Sequence, residues 1–176
     1  MFRFQRLLGR GLRRLGPAPA PVVPPPLPYN WILTNELAIG PMPGAGAHWR
    51  QLEEAGFRSR FSCCYPEEET LSPAPPHWRS EFLALPDHRQ QEPLQPERLL
   101  AALDIAEALI AEQSPLYLHC YAGRERSSLL AIGLTARRRS IDVFEALEWV
   151  RRCHQAASPI YEHLDILEQL LRSGQN

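Results

Sequence analysis

The chain contains no lysine, so all 19 of its strongly basic side chains are arginines. It also has no apolar run long enough to span a membrane and no apolar segment typical of a secretory signal. No internal repeat is present. These absences argue against an integral membrane protein and favour a cytoplasmic location. The 176 residues, with 44% hydrophobic and 22% charged side chains, have a composition typical of one soluble globular domain.

Cysteine is scarce, with four residues in the chain: Cys63, Cys64, Cys120 and Cys153. Because no secretory signal is present, we expect a reducing environment and no structural disulfide. No group of histidine, cysteine and aspartate residues has the spacing of metal ligands. The sequence therefore predicts neither a metal nor another cofactor.

Charge is unevenly distributed, although the net charge is −1. Residues 1–28 contain five arginines and no acidic residue, whereas the rest of the chain has fourteen arginines and twenty acidic residues. Residues 17–28 consist mostly of proline, alanine and valine, which is typical of a semi-rigid linker. We predict a disordered tail at 1–28 and a folded domain at 29–176. Two alternatives remain for the tail: a basic helix on an anionic membrane surface, or an organelle-targeting segment.

The most informative segment is His119–Ser127, with the sequence His-Cys-Tyr-Ala-Gly-Arg-Glu-Arg-Ser. Residues 115–119 have the pattern of a short buried strand, and residues 127–132 begin an apolar helix. A loop between a strand end and a helix N-terminus directs several backbone N–H groups at one point, where the helix dipole favours negative charge. The segment therefore predicts a phosphate-binding loop with a thiolate beneath the phosphate.

Each side chain of this loop has a chemical reason for its position. Gly123 removes a side chain where the backbone turns tightly. Arg126 can hold two phosphate oxygens with its planar guanidinium, and the positive field favours the thiolate form of Cys120. Ser127 can donate a hydrogen bond to that sulfur and make it a better leaving group. We expect His119 to organise the loop rather than to act as a base, because a thiolate needs none.

The string His-Cys-x-x-Gly-x-x-Arg-Ser resembles the signature loop of the cysteine-dependent protein phosphatases, in particular the small dual-specificity group. The resemblance extends from about Trp31 to Leu171, although only the signature loop is highly specific. It implies a phosphatase that works through a cysteinyl-phosphate intermediate. It also implies that the phosphate is surrounded by the loop residues Tyr121, Ala122, Gly123, Arg124, Glu125 and Arg126.

The resembled family has a general acid, an aspartate on a loop that follows a strand and precedes the cysteine. Here the apolar run Phe82–Leu85 predicts that strand, and Asp87 follows it. Asp87 is the first aspartate of the chain, and the next one, Asp104, lies in a predicted helix. We therefore predict that Asp87 protonates the leaving group. The alternatives are that Asp87 only caps its own turn, or that Glu92 is the acid.

Strands and helices alternate along the chain. We predict strands at 31–32, 37–39, from 57 to Cys63 or Cys64, at 82–85 and at 115–119, and helices at 47–55, 96–112 and 127–139. Two further helices are predicted to begin at Asp142, with a capping box to Glu145, and at Ser158. This alternation predicts an α/β domain with a central, mostly parallel sheet, helices on both faces and the site at the carboxyl end of a strand.

The loop gives conflicting indications about the substrate. Arg124 adds a positive charge beside the phosphate, as in relatives that act on inositol lipids or phosphatidylglycerophosphate. Tyr121, however, stands where several lipid-directed relatives have lysine, and Glu125 opposes a second phosphate unless an arginine pairs with it. No insert resembles the phosphotyrosine-recognition loop of the large tyrosine-specific enzymes. We therefore expect a shallower pocket that also admits phosphoserine and phosphothreonine.

The main prediction is a dual-specificity protein phosphatase. The alternatives are a phospholipid phosphatase of the same fold and a catalytically weak phospho-binding module in which Glu125 is the damaging change. We expect a monomer whose partners are phosphorylated proteins or phospholipids, with weak membrane contact through the basic tail. Nucleic-acid binding is not predicted, because the basic tail is short and has few aromatic residues.

Three further features have simple structural interpretations. Cys63 and Cys64 end a predicted core strand, although one of them could instead trap an oxidised Cys120 as a disulfide. The acidic run Glu67–Glu69 is predicted to be a solvated loop, and in the resembled family this region can border the pocket. The basic run Arg137–Arg139 is predicted to be a solvated end of a helix that complements its dipole, with phosphoinositide binding as the alternative.

Overall fold

The structure is a computed structural model that describes residues 24–69, 72–90 and 92–174. The described strands are β1 (Asn30–Leu33), β2 (Leu37–Pro41), β3 (Ser59–Ser62), β4 (Arg79–Phe82) and β5 (Leu116–Cys120). The described helices are α1 (Gly46–Glu54), α2 (Pro96–Gln113), α3 (Arg126–Arg139), α4 (Val143–Cys153) and α5 (Tyr161–Ser173). The predictions for residues 1–23 lie outside the described part of the chain.

The strands form one sheet in the order β1-β2-β5-β3-β4, in which only β1 is antiparallel to its neighbour. The central strand is β5, where Leu118 lies between Ile39 of β2 and Phe61 of β3. All five residues of β5 are buried, as expected for a parallel strand covered on both faces. The predicted α/β class with a mostly parallel sheet is confirmed.

Helices cover both faces of the sheet. The larger core lies between the sheet and α2–α5 and includes Leu116 and Leu118 of β5. On the opposite face α1 contributes Trp49 and Leu52 to a smaller, aromatic core with Tyr117. Successive residues of β5 therefore point into different cores, as the pleat of a strand requires. None of the described helices combines the length and hydropathy needed to cross a bilayer.

The packed part of the chain begins slightly before the predicted boundary at residue 29. Leu27 is buried, and its N–H donates to Oε1 of Gln51 at 2.7 Å. Its carbonyl accepts from Nε2 of Gln51 at 2.9 Å. Since Gln51 lies on α1, this pair of hydrogen bonds fixes the end of the proline-rich segment against the domain.

The predicted strand at 82–85 is wrong, because β4 is Arg79–Phe82. As the edge strand of the sheet, β4 is polar and partly exposed, so the apolar run at 82–85 has the stronger strand pattern in the sequence. The run itself continues along β3, where the N–H groups of Leu83 and Leu85 donate to the carbonyls of Ser62 and Cys63. The position of Asp87 beyond this run is unaffected.

The boundaries of the last two helices also show what their flanking residues do. The capping box of α4 is confirmed, since Glu145 N–H donates to Oδ1 of Asp142 at 2.8 Å and the reciprocal bond is present. Helix α5 begins at Tyr161 rather than at Ser158. Ser158 lies before the helix, and its N–H donates to the carbonyl of Arg124 at 2.8 Å.

The arginines at the end of α3 are engaged by neighbouring elements. The first, Arg137, pairs with Asp104 at 2.9 Å and Glu107 at 3.2 Å. Arg138 pairs with Glu36 at 2.6 Å, and the guanidinium of Arg139 lies 3.8 Å from the ring centre of Trp149. These contacts give the run a structural role, which weakens the alternative of phosphoinositide binding.

Leu118→Ala should lower the free energy of unfolding by about 2–5 kcal/mol, because truncation of this fully buried side chain leaves a cavity in the central strand. Urea unfolding measures the loss. Leu100→Ala is the matched control, since Leu100 is 39% exposed and should lose less than about 1 kcal/mol. Similar losses in the two variants would contradict the central position of β5.

Candidate active site

The predicted phosphate loop connects β5 directly to α3, with Cys120 as the last residue of the strand and Arg126 as the first of the helix. Gly123, in the middle of the loop, has a φ of 71°. A Cβ atom at this position would lie 2.5 Å from the carbonyl carbon of Gly40 at the end of β2. Both the left-handed backbone and this close approach therefore require glycine at position 123.

The nucleophile predicted from the sequence lies in a cavity of about 300 Å³. Cys120 is only 2% exposed, and its Sγ lies 3.3 Å from Oγ of Ser127, within hydrogen-bond distance for sulfur. The cavity brings the phosphate loop together with the turn after β4. Its lining consists of Asp87, His88, Arg89, Cys120, Tyr121, Ala122, Arg124, Glu125, Arg126 and Ser158.

The guanidinium of Arg126 is buried and is held from one side by Glu68. Nη1 donates to Oε2 of Glu68 at 2.6 Å and Nη2 to Oε1 at 3.0 Å, while Nη1 also reaches the carbonyl of Cys63 at 3.3 Å. The Nε–H group, in contrast, has no hydrogen-bond partner among the described residues. Glu68 thus holds the Nη1–Nη2 end of the guanidinium and leaves the Nε–H group available to an oxyanion such as a phosphate oxygen.

The prediction of a solvated loop at Glu67–Glu69 is wrong for two of its three residues. Only Glu67 is exposed, whereas Glu69 pairs with Arg60 at 3.1 Å and the side chain of Glu68 is 9% exposed. Burial alone would raise the pKa of Glu68. Hydrogen bonds from Arg126 and from the N–H of Tyr65 outweigh burial, so the pKa of Glu68 is lowered and the side chain stays a carboxylate.

Asp87, the predicted acid, lines the same cavity as Cys120 and is 5% exposed in its side chain. Its Oδ2 lies 2.9 Å from Nη2 of Arg126, and Arg89 donates to the same oxygen at 2.6 Å. Burial would raise the pKa of Asp87, but the hydrogen bonds from the side chain and N–H of Arg89, together with the charge on Arg126, lower it. In the free protein Asp87 is therefore a carboxylate.

Glu92, the alternative acid, lies apart from this cavity. It accepts a hydrogen bond from Nη1 of Arg98 at 2.9 Å and another from the hydroxyl of Tyr65. The structure thus favours Asp87 over Glu92 by position.

Arg89 was not identified from the sequence, although it contacts several parts of the site. Besides Asp87 it binds Glu68, and its guanidinium lies 5.3 Å from the ring centre of Tyr121. Tyr121 is 51% exposed at the rim of the cavity. Arg124 lies beside it in the loop, and its guanidinium has no ion-pair partner within the described ranges.

Glu125 contacts the turn that carries Asp87. Its Oε1 lies 2.7 Å from Nδ1 of His88, and its Oε2 accepts from the backbone N–H of His88 at 3.2 Å. The carboxylate that seemed out of place in a phosphate loop therefore has a partner, which is a histidine rather than an arginine.

His119 is fully buried on the side of the sheet that faces α1. Its ring stacks on Tyr117 with centroids 5.7 Å apart, and Nε2 lies 3.3 Å from Nη1 of Arg60. Burial, reinforced by the charge on Arg60, lowers the pKa of His119 to about 3, so the ring is neutral. This placement agrees with an organising role, which stays a prediction.

A second histidine supports the loop and was missed in the sequence. His154, at the end of α4, is 8% exposed, and its Nε2 lies 2.9 Å from the carbonyl of Gly123. Its Nδ1 lies 2.7 Å from Oδ1 of Asn30. This contact fixes the orientation of the Gly123 carbonyl in the loop. Its position in the sequence, far from the signature, gives no indication of this role.

All four cysteines are free thiols. Burial raises the pKa of Cys64 to about 12 and that of Cys63 well above its ordinary value, so both remain neutral. The backbone carbonyl of Cys63 accepts hydrogen bonds from Arg126 and Leu85. A role for either residue in trapping oxidised Cys120 stays a prediction.

Folding brings two groups of side chains together that offer three metal ligands each within the described residues. They are Cys64, Glu69 and His119, and Asp87, His88 and Glu125, with ligand atoms within 4.8 Å of one another. In the first group Arg60 already binds Glu69, and in the second group two arginines bind Asp87. A cation would therefore have to displace a guanidinium in either place.

No protein-family model matches the sequence, and no curated protein matches it. Several solved structures do match. PTPMT1, in a crystal structure with PI(5)P, gives a TM-score of 0.71 at 18% identity, covering 82% of this chain and 95% of that one. Human DUSP28 gives 0.67 at 21% identity, with coverages of 85% and 97%. The human tyrosine phosphatase-like serine/threonine/tyrosine-interacting protein gives 0.71 at 15% identity, with coverages of 84% and 98%.

These likenesses show that the chain has the fold of the dual-specificity and tyrosine phosphatases. The resemblance inferred from the signature loop is confirmed at this level. Because the identities are low, the activity has to be argued from the site itself.

Glu68→Gln should weaken tungstate binding by roughly 10- to 100-fold, because charge-assisted hydrogen bonds worth about 1.5–3 kcal/mol no longer orient Arg126. Calorimetric titration measures that loss. Glu67→Gln is the matched control, since the neighbouring Glu67 is exposed and outside the cavity. Wild-type tungstate affinity in Glu68→Gln would show that Arg126 does not depend on this pair.

Proposed function

We propose that the protein is a phosphatase that hydrolyses phosphate monoesters through a cysteinyl-phosphate intermediate. The observation that carries the proposal is the convergence of three groups on one cavity. They are the thiol of Cys120, the guanidinium of Arg126, whose Nε–H has no partner among the described residues, and the carboxyl group of Asp87. These are the nucleophile, the oxyanion holder and the proton donor that phosphoryl transfer to a thiol requires.

In the first step a substrate phosphate is held by the loop N–H groups and by Arg126, with the thiolate of Cys120 beneath it. The sulfur attacks phosphorus, and the bond between phosphorus and the ester oxygen breaks. Asp87 gives its proton to that oxygen, so the alcohol or phenol leaves as a neutral molecule. The phosphoryl group remains on Cys120.

In the second step water attacks the phosphoryl group and Asp87 accepts a proton from it. The bond between sulfur and phosphorus breaks, and inorganic phosphate and the Cys120 thiolate are formed. Ser127, whose Oγ lies 3.3 Å from Sγ, donates a hydrogen bond to the departing sulfur. Asp87 is then protonated as it was at the start.

The protonation state of Asp87 links this cycle to pH. In the free protein its pKa is lowered, so the productive, protonated form is rare near neutrality. A bound phosphate engages Arg126 and adds negative charge next to Asp87, and both effects favour the protonated carboxyl. The free protein therefore loses the productive form at lower pH than the substrate complex does.

We infer a dual-specificity protein phosphatase as the first candidate, because a cavity of about 300 Å³ bordered by the half-exposed Tyr121 suits short as well as long phosphorylated side chains. A specific observation favours phosphoinositides as the second candidate. Arg124 lines the cavity without an ion-pair partner in the described part of the chain, so its charge is available to a second phosphate. A panel of phosphopeptides and phosphoinositides separates the two substrate classes.

Cys120→Ser should abolish hydrolysis of p-nitrophenyl phosphate and retain tungstate binding, because a serine hydroxyl does not ionise at neutral pH and the loop is otherwise unchanged. Initial rates from the acidic to the neutral range and calorimetric titration measure the two properties. Cys153→Ser, on the partly exposed end of α4, should behave as wild type. Near wild-type turnover in Cys120→Ser would refute the covalent mechanism.

Asp87→Asn should lower kcat/KM for phenyl phosphate by about 10²–10⁴-fold, and much less for p-nitrophenyl phosphate, whose leaving group needs little protonation. In the wild-type protein the pH profile of kcat/KM reports the free protein, and that of kcat reports the substrate complex. The alkaline fall of kcat/KM should therefore begin at lower pH than that of kcat. Asp87→Asn should remove both of these alkaline falls. Equal losses with the two esters would place the general acid elsewhere.

A further inference from the structure

The turn at residues 87–90, which carries the general acid, is held to the domain by side chains. The last backbone hydrogen bond from this segment to the sheet is donated by Leu85 to Cys63 at 3.1 Å. Beyond it the N–H of Gln90 donates to the carbonyl of Asp87 at 3.1 Å, and the N–H of Asp87 donates to the Gln90 side chain at 3.0 Å. The turn thus closes on itself, and among its described residues none has a backbone–backbone hydrogen bond to another element.

The first side-chain tether of the turn is ionic and depends in part on the charge of Asp87. Asp87 contacts Arg126 at 2.9 Å, and Arg89, itself in the turn, pairs with both Asp87 and Glu68. During the proposed reaction Asp87 must be protonated, and Arg126 must hold the phosphate instead. Both changes weaken the ionic contacts of Asp87, so of this tether only the pair between Arg89 and Glu68 keeps its full charge when the acid has to be in place.

The second tether is the contact between Glu125 and His88, which does not involve the Asp87 carboxyl. Glu125 Oε2 accepts from the backbone N–H of His88 at 3.2 Å, and Oε1 lies 2.7 Å from the ring Nδ1. The backbone contact is present whether the His88 ring is charged or neutral. It joins the residue after the acid to the residue before Arg126.

We propose that Glu125 is a positioning residue that holds the acid turn against the phosphate loop while Asp87 is protonated. This inference rests on the proposed function, since it concerns the same reaction. It assigns a role to the carboxylate that otherwise opposes phosphate binding. With its oxygens engaged by His88, Glu125 acts on the acid turn and not on the substrate.

The test compares Glu125→Ala and Glu125→Gln on two esters that differ in their need for a proton. Glu125→Ala should lower kcat/KM for phenyl phosphate by roughly tenfold or more, a part of the total effect of a general acid. Tungstate affinity and kcat/KM for p-nitrophenyl phosphate should change much less. Glu125→Gln should restore most of the loss, because its amide oxygen still accepts from the N–H of His88.

A double-mutant cycle shows whether Glu125 acts through Asp87. In the Asp87→Asn background, Glu125→Ala should cause no further loss, whereas a merely structural effect would add to it. His88→Ala removes the ring contact but keeps the backbone contact to Glu125, so its loss of activity on phenyl phosphate should lie between those of the wild type and Glu125→Ala. If thermal unfolding shows that Glu125→Ala does not fold, the double-mutant cycle is made with His88→Ala instead. Glu54→Ala, an exposed glutamate on α1, is the control for loss of a carboxylate.

Two results would overturn the positioning role alone, both with an active wild-type protein. One is an additive loss in the Asp87→Asn background. The other is tighter tungstate binding by Glu125→Ala with kcat unchanged or higher, which would mean that Glu125 repels phosphate. A wild-type protein without Cys120-dependent turnover would overturn the proposed function and the positioning role together.

Discussion

A buried guanidinium has to be paired, and the organisation of this site follows from how Arg126 is paired. An isolated charge in its position would cost several kcal/mol of desolvation free energy, roughly as for any buried ion. Glu68 supplies a partner that does not take part in the proposed chemistry, and Asp87 supplies one that does. The first contact sets the orientation of the guanidinium, while the second can be exchanged for a substrate oxyanion.

Together with Arg89, these three charged residues form a closed ring. Glu68 and Asp87 each contact both Arg126 and Arg89, so two acids and two bases alternate. The ring joins three segments that are distant in sequence: the loop after β3, the turn after β4 and the start of α3. Because each member has two partners, the effects of removing single members will not be additive.

The sequence predicted those parts of the protein that depend on local pattern. The strand, loop and helix around Cys120 follow from apolar periodicity and from one glycine, and the alternation of elements led to the α/β class. The edge strand β4 was misplaced because strands were predicted from runs of apolar residues, whereas the residues of β4 are mostly polar. Boundaries where the chain supports the site, as at Ser158, were also missed.

The residues that complete the site were missed for a different physical reason. Glu68, Arg89 and His154 are polar, and nothing in a single sequence distinguishes a polar side chain that folds inward from one in solvent. Their positions depend on the tertiary packing of loops around a charge. Glu125 was noticed only as an unexpected residue, because its partner His88 lies on a different segment.

The contact between Asp87 and Arg126 has a consequence for the end of the proposed cycle. After hydrolysis Arg126 holds inorganic phosphate, and Asp87 is protonated. When Asp87 returns its proton to the solvent, its carboxylate repels the phosphate and competes with it for the same Nη2 group. The protein thus contains its own competitor for the product, and the rate of phosphate release is linked to the deprotonation of the acid that helped to form it.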